Sequence, residues 1–157
     1  MTNYTIYSLK KVALLTLLGM ALLLTTSCNL WGWWGSETNA IEQLQVDMYD
    51  TYYGPTDTNL TDPPVWTVHS GADVVVTLVN HGNYDHNWAV VKKGATVPLP
   101  YDQGQNGSII LHGIGMVYDN SQTTITFVAP EAGEYQVICT VDGHYPYMQG
   151  KLLVQEK

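Results

Sequence analysis

Short runs of alternating hydrophobic and polar residues dominate the chain from residue 41 onward, and none has the period of an amphipathic helix. The runs are separated by Gly, Pro, Asn and Asp, which favour turns. They predict eight strands, at 41–49, 65–70, 73–80, 86–93, 108–112, 122–129, 133–141 and 150–155. Eight short strands at this spacing predict an all-β domain, either a β-sandwich or a barrel.

Two segments between these runs are unsuited to a core strand. Residues 51–64 contain three Pro with several Asp and Thr, and residues 94–107 read GATVPLPYDQGQNG. Pro cannot donate to a strand ladder, and Gly weakens a strand interior. We therefore expect a loop at 51–64 and a longer excursion, or flap, at 94–107.

The N-terminus has the features of an export signal. Lys10 and Lys11 precede an apolar run, 12–24, that is shorter than the roughly 20 residues needed to span a bilayer. Such a run with a basic flank is typical of a signal peptide. Thr26 and Ser27 lead directly into Cys28, which resembles a bacterial lipoprotein signal, where the cysteine carries the lipid. A plain secretory signal and a short membrane anchor are the alternatives, and all three place the domain outside the cytoplasm.

This interpretation divides the chain into three parts. We predict a lipoprotein-type signal peptide at 1–27, a lipidated Cys28 with a Trp- and Gly-rich tether at 28–40, and one domain at 41–157. The tether contains Trp31, Trp33 and Trp34, and indole rings favour the membrane interface. They are expected either to rest on lipid headgroups or to pack on the domain.

The charge balance narrows the class of partner. The full chain has a net charge of −8 and no Arg, and without residues 1–27 it keeps 4 Lys against 14 Asp and Glu, a net charge of −10. Such an acidic surface repels nucleic acid and favours cationic partners.

A short stretch near the C-terminus concentrates metal-binding side chains. Cys139, His144 and Met148 lie within residues 137–150, VICTVDGHYPYMQG. Thiolate, imidazole and thioether together suit copper. Cys139 has no disulfide partner if Cys28 is lipidated, and an unpaired thiol in an exported protein requires an explanation. A buried inert thiol is the alternative, but the neighbouring His144 and Met148 favour a metal site.

A copper site of this kind needs a second histidine. His86 is the best candidate because it begins a predicted strand, directly after the turn-rich segment NHGNYD at 80–85. The start of one strand and the end of another can meet at one end of a sandwich. His69, His81 and His112 are the competitors.

Three segments together resemble the small blue copper proteins, or cupredoxins. They are HNW at 86–88, TFVAPEAGEYQVICT at 126–140, and the spacing C-x4-H-x3-M at 139–148 followed by GKLLV. The likeness is greatest to the azurin and auracyanin group, and it covers about residues 41–157. It implies a cupredoxin-like Greek-key β-sandwich of about eight strands.

The resemblance also implies a ligand set for one type 1 copper ion. The equatorial ligands would be His86 Nδ1, the Cys139 thiolate and His144 Nδ1, with Met148 sulfur as a weak axial ligand. Asn87 would tie the two ligand loops together and direct its backbone N–H at the Cys139 sulfur.

Two further roles follow from the resemblance. Asp85 stands where azurins have glycine, so its carbonyl is a candidate weak axial ligand. His144 would be the electron port, surrounded by Tyr145, Pro146 and Tyr147 and by residues 113–116. A small apolar surface of this kind suits brief redox encounters.

The implied function is single-electron transfer rather than enzyme catalysis. The protein would be a monomer held by its lipid on the extracytoplasmic face of the bacterial membrane. Its redox partners would be a cytochrome, a quinol-oxidising complex, a photosynthetic reaction centre or a terminal oxidase. Copper delivery or storage is the alternative, and a metal-free lipoprotein for adhesion or scaffolding is a third hypothesis. A multicopper enzyme would need further copper centres and domains, for which the chain is too short.

Overall fold

The computed structural model describes residues 40–113 and 115–157. Within them, the chain forms eight strands, one short helix and one 3₁₀ turn. The elements are β1 (Ile41–Met48), β2 (Val65–His69), β3 (Asp73–Asn80), β4 (Ala89–Val91), α1 (Gln103–Asn106), the 3₁₀ turn (Gly107–Ile109), β5 (Ile110–His112), β6 (Gln122–Val128), β7 (Gly133–Ile138) and β8 (Gln149–Gln155).

Two sheets form the predicted sandwich. One contains three strands in the order β1-β3-β6, and the other contains five in the order β2-β8-β7-β4-β5. The pairs β1–β3 and β2–β8 are parallel, and the remaining pairs are antiparallel. The predicted all-β sandwich is confirmed.

The core lies between the two sheets, because alternate residues of their strands face each other there. On β3, every second residue is fully buried, and on β7 Tyr135 and Val137 point inward. Trp88 is completely buried at the centre and contacts Trp66 edge to face. The core extends to Cys139 and Met148, so these two metal-binding candidates are part of the packed interior.

The predicted strand 86–93 is much shorter in the structure. His86 pairs only with Val117, through an isolated bridge of two backbone hydrogen bonds (3.0 and 2.7 Å), and the ladder of β4 covers Ala89–Val91. The reason is local: Asn87 uses its side chain to reach another loop, and Trp88 is buried in the core. Similarly, the predicted strand 133–141 is shorter in the structure, because β7 ends at Ile138 and the loop that carries Cys139 begins there.

The segment 94–107 is an excursion, as expected, although its short helix α1 was not predicted. Val97 and Tyr101 are buried against a second apolar cluster that contains Ala89, Val91 and Ile138. These three residues belong to β4 and β7. The excursion therefore packs on the outer face of the five-stranded sheet.

Several predictions fall on residues that the structure leaves undescribed. The signal 1–27, Cys28, the tryptophans Trp31, Trp33 and Trp34, and Ile114 lie outside the described residues. Within the described part of the chain, no helix is long and apolar enough to cross a membrane.

Candidate metal centre

His86 is held in place by the loop that leaves β3. The side chain of Asn80 donates to the carbonyls of Tyr84 (2.7 Å), Val117 (3.2 Å) and Tyr118 (3.0 Å), and it accepts from Gly82 N–H (2.9 Å). These bonds join the loop to the segment at Val117, which itself pairs with the His86 backbone. The His86 side chain is completely buried as a result.

Cys139 and His144 are brought together by a tight loop after β7. Cys139 N–H donates to the Met148 carbonyl (3.1 Å), and Met148 N–H donates to the His144 carbonyl (2.9 Å). His144 N–H in turn donates to the Val141 carbonyl (3.0 Å). Gly143 has a φ of +80°, a conformation that glycine adopts without steric cost. The loop thus folds back, so that its end at Met148 lies beside its start at Cys139.

Three potential ligand atoms converge at this end of the sandwich. The Nδ1 atoms of His86 and His144 are 3.1 Å apart, and Cys139 Sγ is 3.5 Å from His144 Nδ1. All three ligand atoms lie within 4.8 Å of one another. His86 and Cys139 are fully buried, whereas His144 is partly exposed. Two imidazoles and a thiolate are the equatorial donors of a trigonal copper site.

Comparisons of sequence and of structure relate this chain to known proteins. No family model matches the chain. The chain is 37% identical over 105 residues to auracyanin-A of Chloroflexus aurantiacus; the match covers 56% of this chain and 62% of that protein, less than two thirds of its length. The solved structure of auracyanin A, a "blue" copper protein of that green thermophilic photosynthetic bacterium, superposes with a TM-score of 0.61 and 29% identity, covering 74% of this chain and all of that one.

A second auracyanin structure agrees with the first. The dithionite-reduced auracyanin of the photosynthetic bacterium Roseiflexus castenholzii superposes with a TM-score of 0.59 and 25% identity, covering 74% of this chain and 99% of that one. The chain has the cupredoxin fold and is similar to the auracyanins in sequence and structure. His86, Cys139 and His144 of this cupredoxin form a candidate type 1 site for one copper ion.

The two histidines of this cupredoxin are neutral near pH 7, so they can bind a cation without first losing a proton. Burial and, to a smaller extent, repulsion from His144 together lower the pKa of His86 from 6.5 to about 4, against smaller opposing effects of Asp50 and Asp85. Burial also lowers the pKa of His144. Both imidazoles are therefore neutral near pH 7, and a neutral imidazole is the form that ligates a metal.

Cys139 behaves differently, because its thiol must be deprotonated to bind a metal. Burial raises its pKa, and this effect is opposed by the backbone N–H groups of Asn87 and Val141 and by the hydroxyl of Tyr53. Donors that face the sulfur stabilise its anionic form. The site is thus arranged for a thiolate but needs a bound cation to create one.

Asn87 connects the two ligand loops. Its side-chain Nδ2 donates to Thr140 Oγ1 (2.6 Å), and its Oδ1 accepts from Thr140 N–H (2.8 Å). Asn87 follows His86 and Thr140 follows Cys139 in sequence, and both Asn87 and Thr140 are buried. This paired contact fixes the separation of the two ligands that precede them.

Tyr53 was missed in the sequence because it lies in the predicted loop 51–64. Its side chain is fully buried, its hydroxyl donates to the Asn87 carbonyl, and its ring contacts Trp66 edge to face. The contact joins residues that are 34 positions apart. No local pattern around Tyr53 indicates such a partner.

The competing histidines lie elsewhere. His69 Nδ1 is 2.9 Å from a Glu42 carboxylate oxygen, and His81 Nε2 is 2.8 Å from an Asp47 carboxylate oxygen, both at the surface. His112 ends β5 and packs against Phe127. Within the described residues, the cluster of possible metal ligands contains none of these three.

The two predicted weak ligands, Met148 and Asp85, differ in their burial. Met148 is fully buried in the core and bonds to Cys139 through the backbone. Asp85 is exposed, and its carboxylate accepts from Asp119 N–H (3.2 Å). His86 Nε2 is buried and has no hydrogen-bond partner among the described residues.

Proposed function

We propose that this cupredoxin is a type 1 copper electron carrier. The proposal rests on the convergence of His86 Nδ1, Cys139 Sγ and His144 Nδ1 within 4.8 Å. Copper held by this donor set would accept one electron and give it back. In this proposal Met148 would be a weak ligand through its sulfur, and the Asp85 carbonyl would be a further candidate for a weak contact.

The protein's contribution is a rigid set of ligands. His86 and Cys139 are buried in the packed core, and the Asn87–Thr140 pair joins the loops that carry them. Close-packed interiors resist displacement, so the ligand atoms would move little when the charge of the site changes. A small rearrangement lowers the barrier to electron transfer. A buried site also disfavours the alternative of copper delivery, which requires rapid release of the ion.

His144 is the proposed electron port because it is the exposed member of the three. A cleft of about 160 Å³ borders it, lined by Asp50, Thr51, Tyr84, Gly143, His144 and Tyr147. The rings of Tyr84 and Tyr147 are more than half exposed. This surface suits a small and transient interface, and the acidic domain would attract a basic partner at long range.

The proposed carrier would act at the membrane surface. A lipid on Cys28 would hold the domain on the extracytoplasmic face of the bacterial membrane and raise its effective concentration near membrane redox complexes. The donor and acceptor would be membrane complexes or cytochromes of a respiratory or photosynthetic chain, and the carrier would act as a monomer.

The visible spectrum and a redox titration of the copper-loaded protein test this function. We expect an intense blue or green charge-transfer band, one copper per chain, and a reversible one-electron transition that bleaches the band. Cys139→Ser removes the band because the sulfur donor is lost. A colourless copper complex in the unmodified protein, or a band that survives Cys139→Ser, would refute the proposal.

A further inference from the structure

One side chain of the excursion 94–107, Gln103, forms a hydrogen bond with a residue of the ligand loops. The Thr140 hydroxyl donates a hydrogen bond to Gln103 Oε1. Gln103 is exposed at the surface, whereas Thr140 is 4% exposed. The contact joins residues 37 positions apart and links an outer segment of the fold to the residue that follows Cys139.

The position of Gln103 is well defined by its own turn. Asp102 caps α1: its Oδ1 accepts from Gln105 N–H (3.1 Å), and its own N–H donates to Asn106 Oδ1 (3.1 Å). Tyr101, just before the cap, is buried against the five-stranded sheet. Gln103 is therefore presented from an anchored turn rather than from a free loop.

Gln103 completes a directed chain of hydrogen bonds. Asn87 Nδ2 donates to Thr140 Oγ1 (2.6 Å), and the same hydroxyl donates onward to Gln103. A hydroxyl has one proton to donate. Because the Thr140 hydroxyl donates that proton to Gln103, its oxygen is oriented to accept a hydrogen bond from Asn87. Each bond in such a chain polarises and strengthens the next. The effect of Gln103 is thereby transmitted to Asn87, which adjoins His86.

We propose that Gln103 is a positioning residue for the metal ligands, through which the excursion 94–107 sets the reduction potential of the site. Gln103 touches no ligand itself. It orients the Thr140 hydroxyl, Thr140 holds the Asn87 side chain, and Asn87 places the backbone beside the Cys139 sulfur. The inference deepens the proposed electron-carrier function and rests on it.

Loss of the acceptor has a defined consequence. In Gln103→Leu, the buried Thr140 hydroxyl loses its acceptor, and the other side-chain oxygen of the network, Asn87 Oδ1, already accepts from Thr140 N–H. The Asn87–Thr140 pair loosens, and donors to the Cys139 sulfur weaken. A thiolate with weaker hydrogen bonds donates more charge to copper, which favours Cu(II). The potential should therefore fall.

The test compares Gln103→Leu with Gln105→Leu in the full copper-loaded chain. Gln105 lies in the same helix, but its side chain bonds to Asp102 (3.0 Å) and to no ligand loop among the described residues. We expect the equilibrium constant for reduction by a reference couple to fall roughly two- to tenfold in Gln103→Leu, the effect of about one hydrogen bond. The charge-transfer band should also shift. Gln105→Leu should match the wild type in both, and equal behaviour of the two variants would overturn the inference.

A double-mutant cycle separates this link from a general loss of stability. Thr140→Val removes the hydroxyl that donates to Gln103. Adding Gln103→Leu to Thr140→Val should therefore change the reduction potential no further. Two effects that simply add would show that Gln103 acts by another route and would overturn the proposal.

Hydrogen exchange in the full copper-free chain tests the network without the metal. We expect the Thr140 amide to exchange roughly two- to tenfold faster in Gln103→Leu than in Gln105→Leu, and Gln103→Glu, which keeps an acceptor, to restore protection. Unchanged exchange in Gln103→Leu would overturn the inference. If the wild type shows no charge-transfer band but the exchange difference is present, the electron-carrier function fails while the hydrogen-bond link stands.

Discussion

His81 and His86 occupy the two ends of one short loop, yet their surroundings are opposite. His81 is exposed, stacks on Tyr49 and pairs with the Asp47 carboxylate. His86 is completely buried and faces His144 across 3.1 Å. A histidine with a carboxylate partner in water needs no metal, whereas two buried imidazoles beside a thiol form a site that a cation stabilises. The surroundings of a histidine, rather than the residue type, therefore distinguish a metal ligand from a surface histidine.

The largest difference between the two histidines should appear when each is replaced by glutamine. His86→Gln removes a buried nitrogen donor, so we expect copper affinity to fall by more than about 100-fold, beyond the usual cost of losing an outer-shell contact. His81→Gln should leave affinity within about twofold and change the free energy of unfolding by less than about 0.5 kcal/mol, since exposed ion pairs contribute little. Competition with a copper chelator measures both affinities. A similar loss in both variants would contradict the assignment.

The next effect concerns the tie between the loops. Asn87→Ala removes both side-chain bonds to Thr140, and we expect copper affinity to fall about 10- to 100-fold, as for other groups that orient ligands. Asn83→Ala is the matched control, because the Asn83 side chain bonds to Asp50 at the surface. Chelator competition should leave Asn83→Ala unchanged. An Asn87→Ala variant with wild-type affinity would show that the pair does not hold the ligands.

Acid should destabilise the copper-free protein through His86. His86 has a folded pKa of about 4 against an ordinary 6.5, because of its burial. The unfolded chain thus takes up the proton first, so stability is complete above about pH 6.5 and is lost as the pH falls towards 4. We expect a loss of roughly 1 to 3 kcal/mol from this group, measured by denaturant unfolding. His86→Gln should flatten that decline; an unaltered decline would mean that other groups cause it.

The smallest effect is expected at Met148. Met148→Leu nearly conserves volume in the core, so we expect copper affinity to change less than about tenfold and the charge-transfer band to persist. Loss of an axial donor should favour the reduced ion and raise the potential. Electrochemistry measures the shift. A vanished band, or a potential equal to that of the wild type, would argue against a weak axial role.

The strands and the ligand loop could be predicted from sequence because their signals are local. Alternation reflects two faces of one strand, and β3 matches its predicted range of 73–80. The Cys139–Met148 spacing reflects a single tight loop. The prediction for 86–93 was too long because its first residues look like strand but serve the site, as His86 and Trp88 turn into the core.

Long-range partners could not be predicted in this way. Tyr53 and Gln103 both lie in segments recognised only as loops, and each contacts a residue beside a ligand through a side chain. The fold alone brings such residues together. The choice of His86 over its competitors rested on strand position, and the structure supplies the physical reason: the competitors have surface carboxylates or an aromatic ring as neighbours.

A crystal structure of the full copper-loaded chain, with the metal located by anomalous scattering, tests the central claim most directly. We expect one copper ion in bonding contact with His86 Nδ1, Cys139 Sγ and His144 Nδ1. Copper found instead at His69 or His81, or bound without Cys139, would contradict it.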